Sequence, residues 1–403
     1  MTWHTVSSGL ADAIVGVLRE QALDRRNEAA PSAEVPFSNM VAEDWLESVR
    51  LWLRHGAPLI TDAPSRACPA CAGGGPDIFV SHDGYPFREC SDCGCWYVPF
   101  EIDNRLFDRF FRDCPEAKAL ADRMIARRQE TAMAKTDYAR IEAYLQELAE
   151  GYGRRYGEVH YLDVGCGVGN AVKVAERMGV RAAGVDVNVT AVALGRERGL
   201  NLYSSLEDLP AGSRFDWISL WETLEHMVNP AGELERCRGL LAEGGIVVLT
   251  VPNLNGIGVR MQRGDCPYVH GGRAWAGHVN WFNSENIRRL LHRAGLRAMF
   301  VDGQFSHNPF ELRAYLLGES RGARDWIAGR RSEAAIARST VEAINTVGPA
   351  LALFERVSLT TPILKIIACR QEDVAQMSQV ATSLETRRRR EMTDYASMLR
   401  DSR

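Results

Sequence analysis

The chain has 403 residues, 46% of them hydrophobic, and a formal net charge of −4 at neutral pH. It is too long for one ordinary domain, and it has no global basic field to hold it on nucleic acid or an anionic membrane. Its start lacks a basic stretch and a small-residue cleavage site, no run of about 18 apolar residues occurs, and ten scattered cysteines do not form a secreted disulfide scaffold. A soluble cytoplasmic protein is expected.

Residues 1–66 read as an N-terminal helical segment, with "LADAIVGVLREQALDRR" and "AEDWLESVRLWLRHG" at helical spacing around a polar link. Such terminal helices would suit a homodimer. Residues 67–100 change texture to Cys, Gly, Pro and short β-prone runs. Here Cys68 and Cys71 form "CPAC", and Cys90 and Cys93 form "CSDC", with eighteen residues between the pairs. Two knuckles at this separation predict a four-thiolate structural zinc site, in which metal binding supplies folding energy to a module too small for its own core. Pairing into disulfides is the competing reading, and Cys95 and His82 are substitute ligands. Residues 101–150 form a helical connector that ends before Gly151.

From Val159 the pattern alternates strand and helix: "VHYLDV", "AVKVAERMG", "RAAGVDV", "AVALGRERG", "NLYSS", then "FDWISLW" and "GIVVLTVP" around the helix "PAGELERCRGLL". Repeated βα units predict an α/β fold, a largely parallel sheet with helices on both faces. A long segment to Phe282 follows, then the helix "SENIRRLLHRAG" and the strand "LRAMFVD". Residues 309–361 look helical, "ILKIIACR" has the texture of a last strand, and residues 372–403 read as a charged helical tail.

A strand ending in "DVGCGVG" and feeding a helix lets backbone N–H groups approach a ligand without Cβ interference. A dinucleotide fingerprint would need glycine at position 170, which is Asn, and there is no P-loop. Asp186 ends the next strand, where a carboxylate can accept hydrogen bonds from both hydroxyls of a ribose, or simply cap the helix that follows. Together "YLDVGCGVGN", "GVDV", "FDWISLWETLEHM", "LLAEGGIVVLTVPN" and "HVNWF" resemble the class I S-adenosylmethionine-dependent methyltransferases over residues 155–305. The likeness is strongest to the small-molecule subgroup with an "LEH" motif after the fourth strand.

That resemblance implies a Rossmann-like sheet, parallel with one antiparallel strand, formed by residues 151–308 and 362–371 around a helical insertion at 309–361. It implies that Asp163, Gly165, Cys166 and Gly167 hold the methionine part of S-adenosyl-L-methionine and that Asp186 holds the ribose. Leu206 would pack on adenine, with Ser205 standing where the family often has Asp. Trp221 and Glu222 would open onto the cofactor sulfur. The preceding zinc ribbon is similar to that of some zinc-containing sugar and natural-product methyltransferases.

Methyl transfer from a sulfonium asks the protein to position an acceptor and remove its proton, and histidine suits the second task. His226 after the fourth strand and His278 in the long segment after the fifth are the candidate bases, either of which could instead be structural. Glu222 is a further candidate contact, and Glu225 reads as structural. The long segment also holds Tyr268, His270, Arg260, Arg263, Arg273, Trp275 and Trp281, a mixture suited to an aromatic or anionic acceptor. The expected activity is O- or C-methylation of a natural-product or sugar-type small molecule. The rivals are an RNA methyltransferase using the ribbon as its grip and a non-catalytic cofactor-binding subunit. Between Cys68 and Phe100 only Arg88 is basic, against Asp77, Asp83, Glu89 and Asp92, which argues against an RNA grip.

Overall fold

The computed structural model describes residues 47–48, 51–60, 63–81, 85–102, 104–128, 132–152, 155–256, 259, 277–303, 356, 359, 361 and 363–401. The N-terminal segment before Glu47, most of the 309–361 region, His82 and residues 260–276 lie outside them.

After helical turns at Trp52–Gly56 and Ala57–Ile60 come three short strands, β1 (Asp77–Val80), β2 (Pro86–Glu89) and β3 (Trp96–Tyr97). They form an antiparallel ribbon, and a fourth strand from far downstream, β9 (Asn280–Trp281), completes this sheet by pairing Trp96 with Trp281 and Tyr97 with Asn280. Three helices follow the ribbon: α1 (Asn104–Asp113), α2 (Pro115–Arg128) and α3 (Ala132–Tyr152). In α1, Leu106 and Phe110 are buried four residues apart, so one face of the helix packs inward. Phe110 meets the edge of Trp52, which is wholly buried and stacks on Tyr85 at 5.2 Å. This aromatic cluster is the ribbon's own core, and it also takes in Val279 and Trp281.

The main body is a seven-stranded sheet made by β4 (His160–Val164), β5 (Arg181–Val185), β6 (Leu202–Tyr203), β7 (Phe215–Trp221), β8 (Leu241–Pro252), β10 (Leu296–Gly303) and β11 (Ile363–Arg370). Its order is β10-β11-β8-β7-β4-β5-β6. Strands β4 to β8 run parallel, while β11 is inserted antiparallel to both β8 and β10. Six of the seven residues of β7 are buried, as expected of a strand covered on both faces. The crossovers run through α4 (Asn170–Arg177), α5 (Val189–Glu197) and α6 (Pro230–Leu240), and α7 (Asn286–Arg293) leads into β10. Local chemistry starts these helices. The Asn188 side chain accepts from the Ala191 N–H at 3.0 Å, and Asn229 caps a helix whose first residue is Pro230. The sheet is the Rossmann-like, mostly parallel one expected, with "ILKIIACR" as its antiparallel strand.

The last helix, α8 (Ser378–Asp401), lies against its own chain. Leu384 is buried in the core cluster that also holds Leu145 and Leu148 of α3, and it comes so close to Gly151 that a Cβ there would stand 3.3 Å away. Arg388 pairs with buried Asp302 at 2.9 Å, and Arg387 pairs with Glu391 at 2.9 Å. Within the charged tail expected from sequence, the arginine run at 387–390 is thus partly committed to intramolecular ion pairs.

Candidate active site

The glycine turn follows β4. Gly165, Gly167 and Gly169 all take left-handed backbone angles, with φ of +79°, +54° and +82°. A Cβ on Gly165 would come within 2.2 Å of Thr223, so that position admits only glycine. A Cβ on Gly167 would project into open space, which is where a ligand could approach the backbone. Gly165 and Cys166 donate their N–H groups to the Val185 carbonyl, tying the turn to β5. Cys166 buries its side chain against Val172, Val192, Leu200 and Leu202, so its thiol faces the core.

Asp186 stands at the end of β5 beside this turn. Its Oδ2 accepts from the Gly167 N–H at 2.7 Å and its Oδ1 from the Asn188 N–H at 2.8 Å. Each oxygen keeps a further lone pair, the acceptor capacity that a ribose diol needs. The next residue, Val187, is 67% exposed, an apolar surface that sequence reading had not singled out. Leu206 keeps only 9% of its surface exposed and packs into the main core, so Val187 offers a base more area than Leu206 does. Ser205 is half-buried at the start of that turn.

Beneath the turn runs a one-way chain of hydrogen bonds. The indole of Trp221 donates to the Tyr161 hydroxyl at 3.0 Å, Tyr161 reaches Ser219 Oγ at 2.6 Å, and Ser219 donates to Asp163 Oδ1 at 2.6 Å. Asp163 is buried, and desolvation pushes its carboxyl up to about 7, with the Ser219 hydrogen bond opposing and the nearby Asp186 charge adding to the rise. These residues bring the cofactor candidates together at the C-terminal ends of β4, β5 and β7, the edge where open α/β sheets bind ligands.

The end of β7 carries the acceptor candidates. Trp221 stacks on Tyr144 of α3 at 5.1 Å, and Glu222 pairs with Arg140 of the same helix at 2.9 Å. Glu222 has φ of +48°, an uncommon conformation for a residue with a side chain and one that concentrates at functional sites. A turn of 3-10 helix, Leu224–His226, then buries Glu225 completely. Desolvation, with the charge of Glu222 second, holds the Glu225 carboxyl well above the usual carboxylate range. His226 and His278 face each other with ring centroids 4.9 Å apart, although 52 residues separate them in sequence. His226 Nδ1 lies 2.8 Å from the Gly277 carbonyl, which fixes that ring against the segment bearing its neighbour.

The ribbon supports this pair directly. The Asn280 side chain donates to the Met227 carbonyl at 2.7 Å, and the Val98 N–H donates to the Val279 carbonyl at 2.9 Å. Arg66, at the entrance to the ribbon, donates to the carbonyls of Val98, Val228 and Val279 and to Asn280 Oδ1, each at 2.8 Å. Nothing in the sequence marks Arg66 among its many arginines, because its four acceptors belong to segments up to 214 residues away. The four cysteine sulfurs, from Cys68, Cys71, Cys90 and Cys93, lie within 4.8 Å of one another. The Cys68–Cys93 and Cys71–Cys90 separations of 3.6 and 3.4 Å are too long for disulfides. Each pair is followed by a residue with left-handed backbone, Ala72 and Gly94. Cys95, a neighbour of Cys68, is not one of the four, and its thiol donates to the Trp281 carbonyl at 3.3 Å.

A family model described as "Methyltransferase domain" matches residues 105–299. The chain is 28% identical over 183 residues to the ubiquinone biosynthesis O-methyltransferase of Dinoroseobacter shibae, covering 41% of this chain and 73% of that protein. It is 36% identical over 102 residues to the enzyme of the same name from Cereibacter sphaeroides, covering 23% of this chain and 41% of that protein. Among solved structures, the plantazolicin methyltransferase BamL with S-adenosylhomocysteine aligns over 66% of this chain and 95% of its own, at 16% identity and a TM-score of 0.40. A methyltransferase from Archaeoglobus fulgidus aligns over 58% and 93%, at 19% identity and a TM-score of 0.38. The family match over residues 105–299 and the sheet order, with an antiparallel strand between β8 and β10, show a Rossmann-like methyltransferase fold, and the relatives' names support an enzyme that methylates its substrate.

Proposed function

We propose that the chain transfers a methyl group from S-adenosylmethionine to a hydroxyl oxygen of a small acceptor, with a structural zinc ion closing the four-cysteine ribbon. The observation that carries this reading is the pairing of His226 with His278 on the same sheet edge as the glycine turn and Asp186. Oxygen is preferred over carbon because the relatives that match the chain carry O-methyltransferase names.

When bound, S-adenosylmethionine supplies a methyl group on a positively charged sulfur. The residues of the chain do the rest. Asp186 receives the ribose hydroxyls, the turn that Gly165 packs against Thr223 leaves room at Gly167 for the methionine part, and Val187 with the edge of Leu206 faces the base. Trp221 and Glu222, fixed by Tyr144 and Arg140, border the reacting centre. The acceptor hydroxyl would lie against the Glu225–His226–His278 cluster, whose groups would draw off its proton as the methyl group is transferred.

For the ribbon, a tetrahedral ion with Zn–S bonds of about 2.3 Å would set sulfurs about 3.8 Å apart, close to the separations found here. Four reduced thiols also suit a cytoplasmic setting. An RNA grip is disfavoured further because Arg88 is itself paired with Asp77 at 2.6 Å.

The test is to incubate the protein with cofactor and a panel of phenols, sugars, hydroxy acids and RNA, and to follow mass gain. A hydroxyl-bearing small molecule should gain one methyl group. A His226→Ala protein should still bind cofactor but lose transfer by a factor on the order of 100 or more. Methylation of RNA alone, or undiminished transfer by the variant, would refute the reading.

A further inference from the structure

Glu225 is buried where no described residue satisfies it. Its side chain is 0% exposed, and neither carboxylate oxygen has a hydrogen-bond partner among the described residues. An ionised carboxylate left in that state is strongly disfavoured, so a cationic partner or a proton must neutralise it. Two imidazoles flank it: Nε2 of His226 and Nε2 of His278 each lie 3.9 Å from the same oxygen, Oε1. The hydrogen bond from His226 Nδ1 to the Gly277 carbonyl puts the proton of the neutral ring on Nδ1 and the lone pair on Nε2. A lone pair therefore faces a carboxylate oxygen, a repulsive arrangement that a cation between them makes attractive.

We propose that Glu225, His226 and His278 bind a divalent first-row transition-metal ion, at a second site separate from the four-cysteine ribbon. One ligand atom from each residue lies within 4.8 Å of the others, so metal bonds of about 2.0–2.2 Å can span the set with a small contraction. Two imidazoles and one carboxylate suit Mn²⁺, Fe²⁺, Co²⁺ or Zn²⁺ and leave coordination positions open. Access is from the imidazole side, since the His226 and His278 side chains are 31% and 16% exposed while Glu225 lies beneath. The role of the ion rests on the proposed methyl transfer: it would hold and polarise the acceptor hydroxyl, whose proton would pass to solvent water on the exposed imidazole side, the two histidines serving as ligands in place of a base. The Gly277 carbonyl supplies the outer hydrogen bond that fixes a metal-binding imidazole.

Mn²⁺ is the suitable probe, because the thiolate ribbon disfavours it. Electron paramagnetic resonance of free Mn²⁺ during titration of the full chain, with its ribbon metal retained, should show about one ion bound, and Glu225→Gln should weaken binding tenfold or more. His278→Ala should weaken it similarly, and unchanged circular dichroism of either variant keeps misfolding out of the comparison. No Mn²⁺ uptake, or equal uptake by the native and both variant proteins, overturns the site and leaves a proton as the neutralising partner of Glu225. Calorimetry with S-adenosylhomocysteine on the same samples separates the two claims. Cofactor heat without Mn²⁺ uptake removes only the metal, and Mn²⁺ uptake without cofactor heat removes the methyl-transfer reading.

Discussion

At the scale of single residues, the buried carboxyl of Asp163 links the cofactor edge to stability. Its folded value of about 7 lies above the ordinary aspartate value it has when unfolded. The protonated form is thus favoured by folding, so this contribution to stability is fully present below about pH 4 and is lost as pH rises to about 7. The loss across that window is on the order of 3 kcal/mol. Asp163→Asn keeps an acceptor for Ser219 without the ionisation, and urea unfolding from pH 4 to 7 should show a flatter profile than the native chain. Glu225 titrates with the same sign in both proteins, so the difference between the profiles isolates Asp163. Parallel profiles would show that Asp163 is not shifted. The residues of the glycine turn were legible in sequence because backbone strain leaves a glycine signature. Val187 was not, since an exposed valine stands out only once its surroundings are folded.

Among the elements, β9 has the greatest leverage. It is two residues long, yet it joins the ribbon sheet and carries Asn280 two positions after His278. Arg66 clamps this junction, and burial lowers its guanidinium to about 10 despite four acceptors. Arg66→Met leaves those acceptors unpaired and should cost on the order of 2–5 kcal/mol of stability. The melting temperature should fall, and the His226 and His278 imidazole resonances should shift together. A lower melting temperature with unmoved histidine resonances would mean that the clamp holds the fold but not the site. From sequence, the spacing of the two cysteine pairs predicted that their sulfurs would meet, because that spacing is a local pattern. Docking of the ribbon on the main sheet was hidden, because pairing of Trp96 with Trp281 is a contact across 185 residues.

At the scale of the whole molecule, the ribbon, helix α3 and the β7 end surround one edge of the sheet, and α8 braces α3 from behind through Leu384. The alternation of strand and helix made the parallel sheet readable in advance, and the apolar run of β11 marked a last strand whose antiparallel sense followed from the family resemblance. The embrace of the site by elements before and after the sheet was not readable, because it depends on long-range packing. The central claim is that this edge binds S-adenosylmethionine through the carboxylate at the end of β5. Calorimetry of the full chain with S-adenosylmethionine tests it most directly. The account predicts one bound cofactor per chain and an affinity about 10- to 100-fold lower for Asp186→Ala, the loss expected for hydrogen bonds to a charged group. Absence of binding heat from the native protein, or equal affinity in the variant, would contradict it.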